Sequence, residues 1–329
     1  MVSIVVPVYN SERAIVSCLD ALFSQSIKGG VEIIVVNDGS TDETTRVLEG
    51  FINQIRILDQ EHKGPATARN AGVKVARGEI IVFMDADCIP AENWLAEMLK
   101  PFENKEVVGV QGAYKTTQKG LTAMFSQIEF EERYQLMESY QYVDLVATYS
   151  AAFRREIFKK VGLFDETFPV PDNEDVELSF RITEKGKRLV FNPRALVYHK
   201  HRDTPLAYFQ MKLSRGFWRM KVYQRYPGKI LKDTYTPKSL KLQFVFGFIS
   251  LLCLIGVNFF SISLIFFFAF IGCYLFSMWP LFWLSFKLNP ALFAVIPFFV
   301  SLRALALVSG SCLFVIKQGL FTPLREPRT

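Results

Sequence analysis

No C-x-x-C pair occurs in the sequence, and its 329 residues include only five cysteines and three histidines. Cys253, Cys273 and Cys312 fall in an apolar C-terminal stretch, which leaves Cys18 and Cys88 elsewhere. This usage excludes a disulfide framework and predicts free thiols in a reducing compartment. No G-x-G-x-x-G follows an early apolar run, which argues against a dinucleotide oxidoreductase. The first loop lacks the glycine- and lysine- or arginine-rich run that cradles a triphosphate, which counts against a nucleotidyltransferase. Internal repeats and low-complexity tracts are absent. The opening MVSIVVPVYN has a short apolar run and no basic n-region, so it does not read as a signal peptide. Residues 1–202 are accordingly expected on the cytoplasmic side.

Charge is present but unevenly distributed. Residues 1–202 carry a net charge of −5, residues 203–241 carry +7 and residues 242–329 carry +4. An acidic head followed by a basic belt and an apolar tail excludes a nucleic-acid partner and fits a membrane-associated protein. Residues 242–286 contain no charged side chain, room for two spans with a tight turn near Asn258 to Ser263. Residues 291–316 are long enough for a third, interrupted by Arg303, which must face protein to be tolerated there. Two spans, with the last segment lying at the surface, is the competing count. In residues 205–226, Lys212, Arg215, Arg219, Lys221 and Arg225 alternate with aromatics. We read this as an interfacial helix whose bases snorkel toward lipid phosphates. The expected organisation is a catalytic head at 1–202, basic amphipathic helices at 203–241, a transmembrane region at 242–318 and a short tail at 319–329.

Within the head, short apolar runs predict strands at 3–9, 31–38, 55–60 and 80–87. Helical spacing predicts helices at 11–25, 41–52 and 64–76, the first capped by Ser11. Strand–helix alternation argues for an α/β fold with a mostly parallel sheet flanked by helices. Further along, 123–143 reads as an aromatic-rich helix and 149–166 as a short strand joined to a helix. Residues 172–186 read as a helix opening on a cluster of acids, and 188–201 as extended. In a parallel sheet ligands gather at the carboxyl ends of the strands. The polar strand ends here are Tyr9-Asn10, Asn37-Asp38 and Asp85-Ala86-Asp87.

Asp85 and Asp87 follow the buried run IIVFM, and two carboxylates in three residues make a hard-oxygen site for Mg²⁺ or Mn²⁺. Such an ion could bridge a diphosphate and neutralise charge on a departing nucleotide. The alternative for a lone D-x-D is two solvated turn acids. Asp38, beside Gly39 and Ser40, could accept hydrogen bonds from a base or ribose; a plain turn before a helix is the alternative there.

The stretches SIVVPVYNSE, VEIIVVNDGSTDET, KGPATARNAGVKVARGEIIVFMDADCIP and DNEDVELSFRI, in this order and spacing, resemble family 2 glycosyltransferases with the GT-A fold over roughly residues 2–200. The resemblance implies inverting transfer of a sugar from a UDP- or GDP-sugar, assisted by a divalent metal. It places Pro7, Tyr9 and Glu12 on the nucleotide pocket, and Asp38 on the base with Lys63 and Arg69 nearby. It places Asp85 on ribose or sugar, and Asp87 on the metal. VATYSAAFRRE would border donor sugar and acceptor. Glu174 and Asp175 match the family's acceptor-side acids, and Asp175 is the expected general base. A later histidine resembles the family's metal or diphosphate contact; His199 is the expected one and His201 the alternate, and the two are not expected to serve together.

The chain departs from the family's processive members. Their Q-x-x-R-W signature has no match, since the corresponding stretch reads QMKLSRGFWR. Single transfer to a polyprenyl phosphate, or to a saccharide on a polyprenyl diphosphate, is therefore expected. The rival readings are an inactive nucleotide-binding module tethered to the membrane, or a nucleotidyltransferase on a similar head.

Overall fold

A computed structural model describes residues 1–25, 27, 29–257 and 262–318. Its strands are β1 (Val2–Val8), β2 (Val31–Asn37), β3 (Arg56–Asp59), β4 (Ile80–Met84), β5 (Cys88–Pro90), β6 (Val107–Lys115), β7 (Ser150–Arg154) and β8 (Arg188–His199). The helices of the head are α1 (Ile15–Phe23), α2 (Thr44–Glu49), α3 (Pro65–Val75), α4 (Trp94–Leu99), α5 (Leu121–Glu138), α6 (Arg155–Val161) and α7 (Glu174–Glu184). After them come α8 (Pro205–Arg225), α9 (Lys238–Gly256), α10 (Ser263–Phe276), α11 (Trp279–Leu288) and α12 (Ile296–Gln318).

The strands form one sheet in the order β3-β2-β1-β4-β7-β6-β8-β5. The pairings among β3, β2, β1 and β4 are parallel. β7 runs antiparallel to both β4 and β6, which makes the sheet mixed. β1 is VSIVVPV and β2 ends IIVVN; both are buried nearly throughout, as strands covered by helices on both faces must be. Phe83 of β4 meets Phe153, Phe158 and Phe164 edge-on, which packs α6 and the loop after it against the sheet centre.

The sequence reading missed β6, whose VVGVQGAYK mixes glycine and glutamine into a buried run. Gly112 is required there: a Cβ would lie 2.3 Å from the Ala195 carbonyl and from Ser150 Oγ. The expected cap at Ser11 is also corrected. Helix α1 begins at Ile15 after Ala14, and the Ser11 hydroxyl instead donates to the Tyr9 carbonyl. The chain turns once before the helix, and the Ser11 carbonyl accepts from Ala14 and Ile15.

Three helical stretches are long and apolar enough to cross a membrane: Lys238–Gly256, Ser263–Leu288 and Pro290–Lys317. The second is broken between α10 and α11. Most of the turn expected near Asn258 to Ser263, and the 319–329 tail, lie outside the described residues. Arg303 does face protein. It is buried, and its guanidinium donates to Glu129 of α5 at 2.7 Å and to Gln243 of α9. α12 lies directly against α8. A Cβ on Gly216 would sit 2.4 Å from the Leu307 carbonyl, so only glycine lets the two backbones approach this closely.

The snorkelling expectation for α8 is overturned at three of its five bases. Lys212 is buried on Glu129 at 2.9 Å. Lys221 donates to the Thr167 carbonyl at 2.7 Å, and Arg225 pairs with Asp165 at 2.6 Å. These cations serve carboxylates and carbonyls of the head because α8 is clamped between it and α12. Arg215 and Arg219 face a cavity instead.

Candidate active site

The expected strand over 80–87 ends at Met84. Asp85, Ala86 and Asp87 form the tight turn into β5, closed by the Cys88 N–H donating to the Asp85 carbonyl at 3.0 Å. Hydrophobic burial drives IIVFM into the sheet, and the turn then presents both carboxylates at its edge. They have different partners. Asp85 accepts from Arg69 at 3.0 Å, and Asp87 lies 3.3 Å from His199 Nε2. Burial raises the Asp85 carboxyl above its usual range, with Arg69 opposing and Asp87 adding to the shift. Burial acts the same way on Asp87, but the adjacent His199 outweighs it and holds that carboxyl below the usual range.

Arg69 was expected near the nucleotide base, with Asp38 and Lys63. It lies between Asp85 and Glu174, with a 2.6 Å bond to Glu174. One turn into α3, its side chain reaches across the end of β4 rather than back along the loop. Glu174 is buried and the neighbouring Asp175 only partly buried, and both line a cavity of about 280 Å³. Asn173 takes a left-handed turn (φ 70°) before α7, which brings the pair to the cavity wall. Asp175 Oδ2 accepts from the Thr148 N–H at 3.2 Å. Burial drives the Glu174 carboxyl up, Arg69 opposing and Asp175 reinforcing. Ala147, Thr148 and Tyr149, from the stretch expected to border sugar and acceptor, line the same cavity.

Along the same carboxyl edge of the sheet, after β2, Asp38 is buried, and its carboxylate organises the loop after β3. It accepts from Gln60 Nε2 at 2.6 Å and from the backbone N–H groups of Lys63 and Gly64 at 2.9 Å each. The Lys63 side chain is exposed and lies 3.7 Å from Glu61. The same loop stacks the His62 ring on Tyr9, with centroids 4.0 Å apart, and Tyr9 is 43% exposed. Pro7 sits in β1 just before this platform. Glu12 accepts from the Glu43 N–H at 3.1 Å, which ties the first and second strand-end loops together. Asp38→Ala is expected to destabilise the protein by about 2–3 kcal/mol, since buried donors lose a charged acceptor; the lowered Tm in detergent is the measurement. An unchanged Tm would mean that the loop holds without it.

Residues two apart along an extended chain share a face, and the Nδ1 atoms of His199 and His201 are 3.2 Å apart. His201 is buried against Phe130, and its Nε2 lies 3.0 Å from Gln127 Oε1. Gln127 donates through Nε2 to the Tyr114 carbonyl and to Glu131, so Oε1 is the acceptor and His201 Nε2 carries the proton. Burial pushes His201 down to about 3, so the ring is neutral and its Nδ1 accepts from His199 Nδ1–H. His199 Nε2 then faces the Asp87 carboxylate at 3.3 Å. A proton or a divalent cation satisfies both groups. The carboxylate suits Mg²⁺ or Mn²⁺ and the imidazole suits transition-metal ions, and the Asp87 side chain is 56% exposed. Among the described residues no three His, Cys, Asp or Glu side chains converge as a complete cage. The sequence carried no signal for Gln127 or for Tyr114, whose ring stacks on His199 with centroids 4.6 Å apart.

Residues 3–162 match the family described as glycosyl transferase family 2. The chain is 37% identical over 118 residues to glycosyltransferase GlyG of Streptococcus pneumoniae, covering 35% of this chain and 39% of that protein. It is 32% identical over 203 residues to the uncharacterized glycosyltransferase EpsJ of Bacillus subtilis, covering 57% and 58%. It is 29% identical over 238 residues to the pre-mycofactocin glycosyltransferase of Mycobacterium tuberculosis, covering 69% and 48%. The match thus spans between 39% and 58% of these relatives' own lengths. Among solved structures, the mannosyltransferase PcManGT of Pyrobaculum calidifontis, in complex with GDP-Man and Mn²⁺, superposes with a TM-score of 0.63 at 18% identity. That superposition covers 95% of this chain and 86% of the other. GalNAc-T7 with UDP, GalNAc and Mn²⁺ superposes at 0.52 and 18% identity, covering 73% and 53%. Both likenesses are of fold.

Proposed function

We propose that this chain, whose residues 3–162 match glycosyl transferase family 2, moves one sugar from a nucleotide diphosphate to a lipid-borne acceptor, with inversion. The observation that carries this reading is the paired arrangement at the sheet edge. Asp87 with His199 offers metal donors at the β4–β5 turn, and Asp175 opens into the adjoining cavity. The nucleotide lies along Pro7, Tyr9 and Glu12, its base near the Tyr9–His62 platform and the Asp38 loop with Lys63. Arg69 holds Asp85 toward the ribose or sugar. Mg²⁺ or Mn²⁺ on Asp87 and His199, completed by diphosphate oxygens, would neutralise charge on the leaving group.

Asp175 takes the proton of an acceptor hydroxyl as that oxygen bonds to the anomeric carbon. The bond from that carbon to the diphosphate oxygen breaks, and its electron pair leaves with the nucleoside diphosphate. Glu174 orients Arg69 through Oε1 and lines the same cavity as the second acceptor-side acid. A carboxylate at the acceptor oxygen would repel an anionic nucleophile, which favours a hydroxyl of a lipid-linked saccharide over a lipid phosphate oxygen. The three apolar helices hold the head at the membrane with its site on the cytoplasmic face, and nucleic acid plays no part.

Binding of UDP and GDP to detergent-purified protein, with and without Mn²⁺, tests this reading. One of the two is expected to bind more tightly with the metal, and Asp87→Asn to abolish the metal-dependent gain of roughly tenfold or more. Absence of binding by either nucleotide at any metal concentration would leave the head as a tethered module without transferase activity.

A further inference from the structure

The cavity at Asp175 does not end in the head. Its far wall is made by Leu240 and Phe244 of α9 and by Leu307 and Ser311 of α12, helices apolar enough to cross a membrane. Five cations line it: Arg69, Arg133, Lys212, Arg215 and Arg219. Three have other tasks. Arg69 is held by Asp85 and Glu174, and Lys212 by Glu129. Arg133 lies over the Phe130 and Tyr235 rings with Glu129 at 3.9 Å.

Arg215 and Arg219 remain, one turn apart on the same face of α8. Arg215 reaches Asp172 only through Nε at 3.7 Å. Among the described residues Arg219 has no carboxylate within ion-pair distance, and its guanidinium lies 5.9 Å from the Tyr223 ring. α8 cannot withdraw from the cavity, because Gly216 between these arginines is locked against Leu307. A partly buried, unpaired guanidinium facing a cavity with an apolar far wall fits an anion that carries a hydrocarbon tail.

We propose that Arg215 and Arg219 form the binding site for the phosphate of a phosphorylated membrane lipid, whose tail leaves between α9 and α12 along Leu240, Phe244 and Leu307. This rests on the transferase reading and deepens it. The lipid phosphate serves as a handle at α8, while the saccharide it carries presents a hydroxyl to Asp175. The two ends of the acceptor are thereby matched: anion to arginine, hydroxyl to carboxylate.

The test is a titration of the full chain in detergent with farnesyl phosphate, with inorganic phosphate and farnesol as parallel arms, followed by tryptophan fluorescence. UDP and GDP binding with Mn²⁺ is measured on the same preparation. Farnesyl phosphate is expected to bind, and Arg219→Gln to weaken it by roughly tenfold or more, as loss of a charge-assisted bond does. Arg219→Lys, which keeps the charge but not the fork, should fall between. Nucleotide affinity should be the same in all three proteins, which separates loss of the site from loss of the fold. Inorganic phosphate binding as tightly as farnesyl phosphate would overturn the lipid assignment, and farnesol binding as tightly would overturn the phosphate assignment. Farnesyl phosphate that fails to bind while a nucleotide binds would remove this site and leave the transferase reading standing. If neither binds, both fall.

Discussion

Asp175→Asn is expected to lower sugar transfer by about 10²–10⁴-fold, the range that positioned general-base catalysis supplies, while nucleotide affinity stays at the wild-type value. The substitution is nearly isosteric. The amide oxygen can still accept from the Thr148 N–H that now reaches Oδ2, which holds the start of α7, although the contact of Oδ1 with the adjacent Val176 N–H at 2.7 Å is given up. What is lost is the capacity to take a proton. Single-turnover transfer and nucleotide titration, measured together, check this. A loss of transfer below about tenfold would remove Asp175 as the base and point to an acceptor oxygen that arrives already ionised. Loss of nucleotide binding in proportion to transfer would instead make Asp175 a donor-site residue. The contrast with Glu174 is informative because the two are adjacent. Glu174 is buried on Arg69, and Glu174→Gln should act through the position of Arg69 and Asp85.

Glu129→Gln is the second large effect, and it acts on stability. Glu129 sits buried in α5 and accepts from Tyr208 at 2.9 Å and Arg303 at 2.7 Å, with Lys212 Nζ 2.9 Å away. Against the cost of burial, Lys212, Arg303 and Arg133 hold its carboxyl well below the usual range. Neutralising it leaves three buried cations without their common anion. Removing one partner of a buried ion pair typically costs about 3–5 kcal/mol. A correspondingly lower Tm in detergent is expected, and an unchanged Tm would show that the network contributes nothing. Arg303→Met should cost less, because Glu129 keeps Lys212. The network joins α5, α8 and α12, so its loss also frees the wall of the cavity that carries Arg215 and Arg219.

These two sites differ in how far the sequence announced them. Asp85, Asp87 and Asp175 stand in short motifs after a buried strand or at a helix start, where alternation and strand ends fix what faces the ligand edge. The same local rules marked Arg303 as a charge that had to find protein. They could not say which protein group it would find, because Glu129 is 174 residues away.

The early strand–helix alternation by itself determined the parallel half of the sheet, since periodicity and burial are local properties of the chain. The apolar lengths after Lys238 likewise determined three stretches able to cross a membrane. Tertiary structure decided the rest. β6 was hidden because its glycines and Gln111 are tolerated only where Ala195, Ser150 and Tyr149 close around them. The bases of α8 read as membrane-facing until packing against α12 turned Lys212, Lys221 and Arg225 inward. That Arg69 bonds Asp85 and Glu174 was not legible, because the reach of a long side chain across a sheet end has no trace in spacing. The tautomer of His199 depends on His201 and Gln127, two links away through space. Pairings between distant segments are set by the free energy of the whole packed chain, and no window of sequence contains them.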